Sequence, residues 1–172
     1  DLGVVRPDQY TQANPQIAVA NYVFGDQLTG ANAGTTVVSS FAYSAGSNST
    51  TNAASYDVGV RTTLATASQV GSVWGLAYSP QTQTVFASAF DRRHSGFGPG
   101  GPGAIYAINR TTGAVTTLIN IASAGTDPHD TTNYNTDNTT RTTVNGVTVD
   151  SGWDSVGKVG WGGMAISDDG ST

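Results

Sequence analysis

The chain has no cysteine, no glutamate and a single lysine, Lys158, in 172 residues. Without cysteine there is no disulfide or thiol chemistry, although secretion stays possible, since large exoproteins can be stable without disulfides. All twelve acidic residues are Asp, a residue unfavourable inside helices and at home in turns, so long amphipathic helices are not expected. No run of about 18 apolar residues occurs, so no helix should span a membrane. Charged residues make up 11%, with a net charge of −5 and a pI near 4.5. That balance argues against nucleic acid as partner, because binding a phosphate backbone draws on clustered Lys and Arg, and Arg92-Arg93 alone do not supply a cluster. There is no Gly-x-Ser-x-Gly elbow, no cysteine nucleophile and no Glu/Glu pair for glycoside hydrolysis, so a hydrolase built wholly within this segment is not expected.

What the chain does have is 22 Gly, an excess of Thr, Ser, Asn and Ala, and short runs in which β-branched and aromatic residues alternate with polar ones. That period of two predicts an all-β chain. Strands are expected over Ile17–Phe24, Thr36–Tyr43, Val58–Ala67, Val73–Tyr78, Thr84–Phe90, Ala104–Asn109, Ala114–Ile121 and Val159–Ile166. Asn109-Arg110-Thr111-Thr112-Gly113 should turn one hairpin. Asn145-Gly146, between Thr143-Val144 and Val147-Thr148, should turn another, because both positions tolerate positive φ. Val73–Ile121 should form one sheet.

One phrase occurs twice. VGSVWGLAYSP over Val70–Pro80 leads into a second strand, whereas VGKVGWGGMAISD over Val156–Asp168 is followed only by Gly-Ser-Thr after Asp169. Repeated strand and turn units mark modular β-architectures. The organisation read from this is a single segment over 1–172: opening strands and first repeat at 21–90, a Gly/Pro loop at 91–103, a hairpin at 104–121, a polar insertion at 122–155, and the start of the next repeat at 156–172. Gly75 and Gly163 of the two phrases lie 88 residues apart, against roughly 40 to 50 for a plain propeller blade, and the two insertions account for the excess. The expected fold is therefore a set of β-propeller-like antiparallel blades, incomplete within this chain. The start at Asp1 rather than Met fits a processed terminus or an internal start.

Phe86–Phe90, Arg93-His94, Gly96-Phe97-Gly98-Pro99 and Gly103-Ala104-Ile105-Tyr106, followed by Thr126–His129 and Val156–Gly170, occur in an order that resembles a β-propeller domain of large bacterial surface and secreted proteins. Val23-Phe24-Gly25-Asp26 is similar to the opening strand of that family. The resemblance runs from about Asn21 to the end and implies a propeller that continues past Thr172, an extracellular or cell-surface location, and no catalytic residues to carry over.

His94 and His129, the only histidines, each sit beside Asp in an insertion. If both loops reach the same end of the propeller, His94, Asp127, His129 and Asp130 could hold a divalent metal; alternatively, His94 packs on the Gly-rich loop and His129 caps a turn. Asp127, Asp130 and Asp137 offer oxygen ligands for Ca2+, while Asp168-Asp169-Gly170 reads as a turn. Gly98–Gly103 lacks the Lys-Ser/Thr ending of a phosphate loop and is broken by Pro99 and Pro102. Asn48, Asn109 and Asn138 each begin an Asn-x-Ser/Thr sequon suited to a glycan. Trp74, Trp153 and Trp161 read as packing residues. Together these readings lead to a non-enzymatic extracellular structural or adhesive module of a bacterial surface protein, appendage or fibre, needing no cofactor. Its partners would be the remainder of a longer chain or identical subunits joined through sheet edges. The rival reading is a ligand-binding or metal-dependent enzymatic propeller centred on His94, Asp127 and His129.

Overall fold

The segment TVVSSFA alternates nothing: four consecutive residues, Val37 to Ser40, are buried, as in a strand covered on both faces. This strand is the centre of the first sheet. The computed structural model describes residues 13–45, 61–129, 141–144, 147–150 and 155–167. In it β1 (Gln16–Ala20), β2 (Thr36–Ala42) and β3 (Thr62–Thr66) form an antiparallel sheet in the order β1-β2-β3. A second antiparallel sheet contains β4 (Val73–Ser79), β5 (Thr84–Ala89), β6 (Ala104–Asn109) and β7 (Val115–Asn120), ordered as in sequence. β8 (Arg141–Val144) and β9 (Val147–Asp150) form a separate hairpin whose register Val144↔Val147 brackets Asn145-Gly146, two residues outside the described set. The regular structure of the described residues is thus mostly antiparallel β-sheet, and the expected sheet over Val73–Ile121 is present with its strands in the expected order.

On β6 the period of two is plain. Ala104, Tyr106 and Ile108 are buried, while Ile105 and Ala107 between them are partly exposed. The buried set faces Val85, Ala87 and Ala89 of β5 and joins Val37, Val38, Ala65 and Val73 in one core. The Asn109–Gly113 turn forms as the sequence predicts. Gly113 has φ +73, and the Asn109 side-chain Oδ1 accepts from the backbone N–H of Thr111 and Thr112, each at 2.9 Å.

Three expectations need correction. The strand expected to reach Phe24 ends at Ala20, because the chain then turns at Gly25 (φ +93), whose N–H donates to the His94 carbonyl at 2.7 Å. The strand expected over 58–67 is Thr62–Thr66, with 58–60 outside the described residues. Ala67 instead opens α1 (Ala67–Val70), a single turn started by Thr66, whose N–H donates to the Gln69 side-chain oxygen at 2.9 Å. No strand forms over Val159–Ile166. Gly160 (φ +93) bends the backbone there, and the Phe90↔Gly160 bridge, with Asp91 N–H to Val159 O at 3.1 Å, Trp161 N–H to Ala89 O at 2.8 Å and the Ser88 hydroxyl to Gly162 O at 3.3 Å, ties this segment to the end of β5.

The Gly/Pro loop at 91–103 packs against the rest of the chain: Ser95, Gly96, Phe97 and Gly98 are buried. Ser72 N–H donates to Gly96 O at 2.9 Å, Gly96 N–H donates to Gly25 O at 3.1 Å, and Gly71 pairs with Phe97. Glycine makes this possible, because two backbones can meet where neither residue has a Cβ. Further along, the Tyr106 hydroxyl accepts from the Gly100 N–H at 3.0 Å, and burial pushes the phenol up to about 12 despite that bond. Tyr106→Phe should therefore cost about 1 kcal/mol in urea unfolding by leaving the Gly100 donor without its acceptor. An unchanged unfolding midpoint would show that water replaces the hydroxyl.

Candidate functional site

The stitched loop and the polar insertion meet at one side chain. β5 ends at Ala89, and backbone bonds from Phe90 to Ser72 O (3.1 Å) and from Asp91 to Val159 O (3.1 Å) hold the next two residues in place. Asp91 is thereby turned inward, with no exposed surface. The Arg92 carbonyl accepts from Ser95 N–H at 3.2 Å, and that narrow turn leaves its second lone pair available.

His129 occupies that position. Asp127 folds its own loop into an Asx turn, with its Oδ1 accepting from the His129 N–H at 3.0 Å and lying 2.7 Å from Nδ1 of the same ring. The other nitrogen, Nε2, lies 3.0 Å from the Arg92 carbonyl oxygen and 3.3 Å from Asp91 Oδ1. The Phe97 ring meets the imidazole edge-on, at 6.0 Å and 67°. A carbonyl only accepts, so Nε2 carries a proton; Nδ1 faces a carboxylate and carries one too when that carboxylate is ionised. The ring is then an imidazolium held between two acids. Burial works against this charge, but the hydrogen bond to Asp127, the charges of Asp127 and Asp91 and the Arg92 carbonyl outweigh it and raise the His129 pKa above 6.5.

The chemistry of this arrangement is that of a clamp. Both ring nitrogens are committed and the side chain has no exposed surface, whereas a general base or metal ligand needs a free nitrogen facing its substrate or ion. His94 lies on the loop with φ +63, its carbonyl bound to Gly25. Among the described residues no three His or Asp side chains are arranged to share an ion. Asp130 and Asp137, like Asn48, Asn138, Trp153 and Asp168–Gly170, lie outside the described residues. Asp91 is the member of the site that spacing does not reveal. It stands 38 positions before His129 and reads in sequence as a neighbour of His94.

The tryptophans divide. Trp161 is partly buried against the core, as expected of a packing residue. Trp74 is not: it is 58% exposed, with Phe90 at 5.6 Å and the Arg92 guanidinium carbon 5.1 Å above its ring. Its neighbours Val73 and Gly75 are buried, so strand alternation turns it outward.

Comparison with known proteins shows similarity to Colossin-B of Dictyostelium discoideum, which is 27% identical over 123 residues. The aligned part is 72% of this chain and 3% of Colossin-B, so the chain corresponds to a small fraction of that protein's length. No family model matches the chain, and no solved structure matches it.

Proposed function

We propose that this chain is a non-enzymatic structural or adhesive module of an extracellular or cell-surface protein that assembles by strand addition at the free edge of its second sheet. The observation that carries this reading is β7. Among the described residues it is the outermost strand of its sheet, and Leu118, Ile119 and Ile121 at its end are 54%, 43% and 40% exposed. A strand edge bearing apolar side chains is a template for another strand, and proteins that stay monomeric usually blunt such an edge with Lys, Pro or cover. Here none of the residues from Val115 to Ile121 is charged or a proline.

The blade-like order β4-β5-β6-β7 supports a propeller built from such sheets, with further blades supplied by polypeptide beyond this segment or by identical subunits. The resemblance of the Arg93–Tyr106 phrase supports a surface location, and glycans at Asn48 or Asn138 belong to the same reading. The sealed imidazole is consistent with a holding role for the insertion loop.

Sedimentation velocity tests the edge. The chain should self-associate as concentration rises, and Ile119→Lys should abolish that association with little change in stability, because a charge on an open edge repels a second strand. An association unaffected by Ile119→Lys would remove β7 as the assembly surface.

A further inference from the structure

The chain carries seven basic residues against twelve acids, so a cation with no acid beside it is a local exception. Arg110 is one. It stands in the β6–β7 turn, where its backbone N–H donates to Gln83 O at 2.9 Å. Its exposed side chain folds back over Tyr78, with the guanidinium carbon 5.8 Å from the ring centroid and Nη1 3.4 Å from the hydroxyl. Among the described residues no carboxylate forms an ion pair with it. A guanidinium offers several N–H donors in a planar fork, and one long bond to a neutral hydroxyl engages only one of them.

Arg110 and Tyr78 also line a cleft of about 150 Å3 that takes its walls from both sheets. The sheets adjoin where β1 lies against β4. Ala18 of β1, Leu64 of β3, Val85 of β5 and the Tyr78 ring make the walls largely apolar, Ser40 of β2 is the buried polar residue among them, and no lining residue is acidic. Val85 belongs to the core, and Leu64 and Tyr78 pack against it, so the walls are held by strands and not by a loop. Size restricts the occupant. Pockets for whole cofactors or sugars begin at about 300 Å3, whereas an apolar cavity of about 150 Å3 admits a body the size of benzene.

We propose that this cleft binds a small carboxylate, whose apolar body of about benzene size enters between Ala18, Leu64 and Val85 while its two oxygens accept from the Arg110 guanidinium at the mouth. The class is assigned by shape and charge together. The planar fork of an arginine matches a carboxylate at two points, the apolar walls favour a body that a bare inorganic anion lacks, and the acid-free lining repels no anion. The cleft involves neither the β7 edge nor the His129 clamp, so it stands or falls apart from the assembly reading.

The test is titration of the full 172-residue chain with benzoate at neutral pH, followed by methyl NMR. The Ala18, Leu64 and Val85 methyl signals should shift together and saturate with a Kd of about 1 mM, an affinity open to a ligand of this size. Arg110→Gln, or benzyl alcohol in place of benzoate, should each weaken binding at least about fivefold, the upper range for one exposed charge pair. Ala18→Leu should abolish binding by filling the cleft with Arg110 left in place. Circular dichroism of Arg110→Gln should match the wild type, because this side chain is exposed. Methyl signals that do not shift and saturate, or a Kd unchanged by Arg110→Gln, would overturn the proposal. A response confined to the Arg110 side chain would overturn it too, since it would show anion pairing at the surface alone.

Discussion

Replacing His129 with Ala should destabilise the protein by about 3–5 kcal/mol near about pH 5.5, the cost typical of removing one member of a buried ion pair. The effect is large because Asp91 has no exposed surface and loses the cation that faces it at 3.3 Å. The Arg92 carbonyl also loses its ring donor. Asp127 contributes less to the loss, since its side chain is 27% exposed and water can replace part of the interaction. Equilibrium urea unfolding measures the difference directly, and a change below about 1 kcal/mol would mean that water or Asp91 protonation compensates.

The same site fixes a pH dependence. The His129 pKa is raised in the folded state above 6.5, so its stabilisation is fully present below the unfolded value and is lost as pH rises through the folded one. Wild-type stability should fall relative to His129→Gln as pH increases above about 6.5, by at most about 1.4 kcal/mol per pH unit for one proton. Parallel pH profiles for the two proteins would show that the ring is neutral in the fold.

The second large effect is expected at Gly71, where α1 ends. Its backbone, φ +62 and ψ −152, lies in a region open essentially only to glycine, and another residue there costs about 1–3 kcal/mol in strain. A Cβ would also stand 1.8 Å from the Gly98 nitrogen and 2.4 Å from the Phe97 carbonyl carbon. Because these are backbone atoms of the stitched loop, they cannot yield without parting Gly71 from Phe97. Gly71→Ala should therefore cost more than about 3 kcal/mol. Gly157→Ala is the control: its φ is +77 but its Cβ would meet nothing within 4 Å, so about 1 kcal/mol is expected. Equal losses at the two positions would show that strain alone, without the close approach, sets the cost.

Local signals are legible in the sequence, whereas contacts set by the tertiary path are not. The hairpin of β6 and β7 is readable because its signals are local: apolar Ile105 and Ile108 leading into the turn, an Asn at the start of the turn and a Gly at its end. The helical turn α1 also has a local signal, Thr66-x-x-Gln69, which matches a capping box but is easily absorbed into the neighbouring strand. By contrast, the repeat at 156–167 suggested a strand because of its likeness to β4. A strand needs a partner as well as a pattern, and the glycines at 160, 162 and 163 weaken the pattern at its centre. The clamp was half legible: Asp127 and His129 stand two apart, while Asp91 and the Arg92 carbonyl reach the ring only through the tertiary path of the stitched loop. The outward face of Trp74 depends likewise on strand register, which composition does not reveal.

Backbone hydrogen exchange followed as a function of protein concentration tests whether the β7 edge is an assembly surface. At low concentration half of the β7 amides, those directed away from β6, should exchange rapidly. As concentration rises, those same amides should become protected, in step with the sedimentation coefficient, and Ile119→Lys should keep them unprotected at every concentration. Rapid exchange of the outward β7 amides in fully assembled protein would rule out strand addition at this edge.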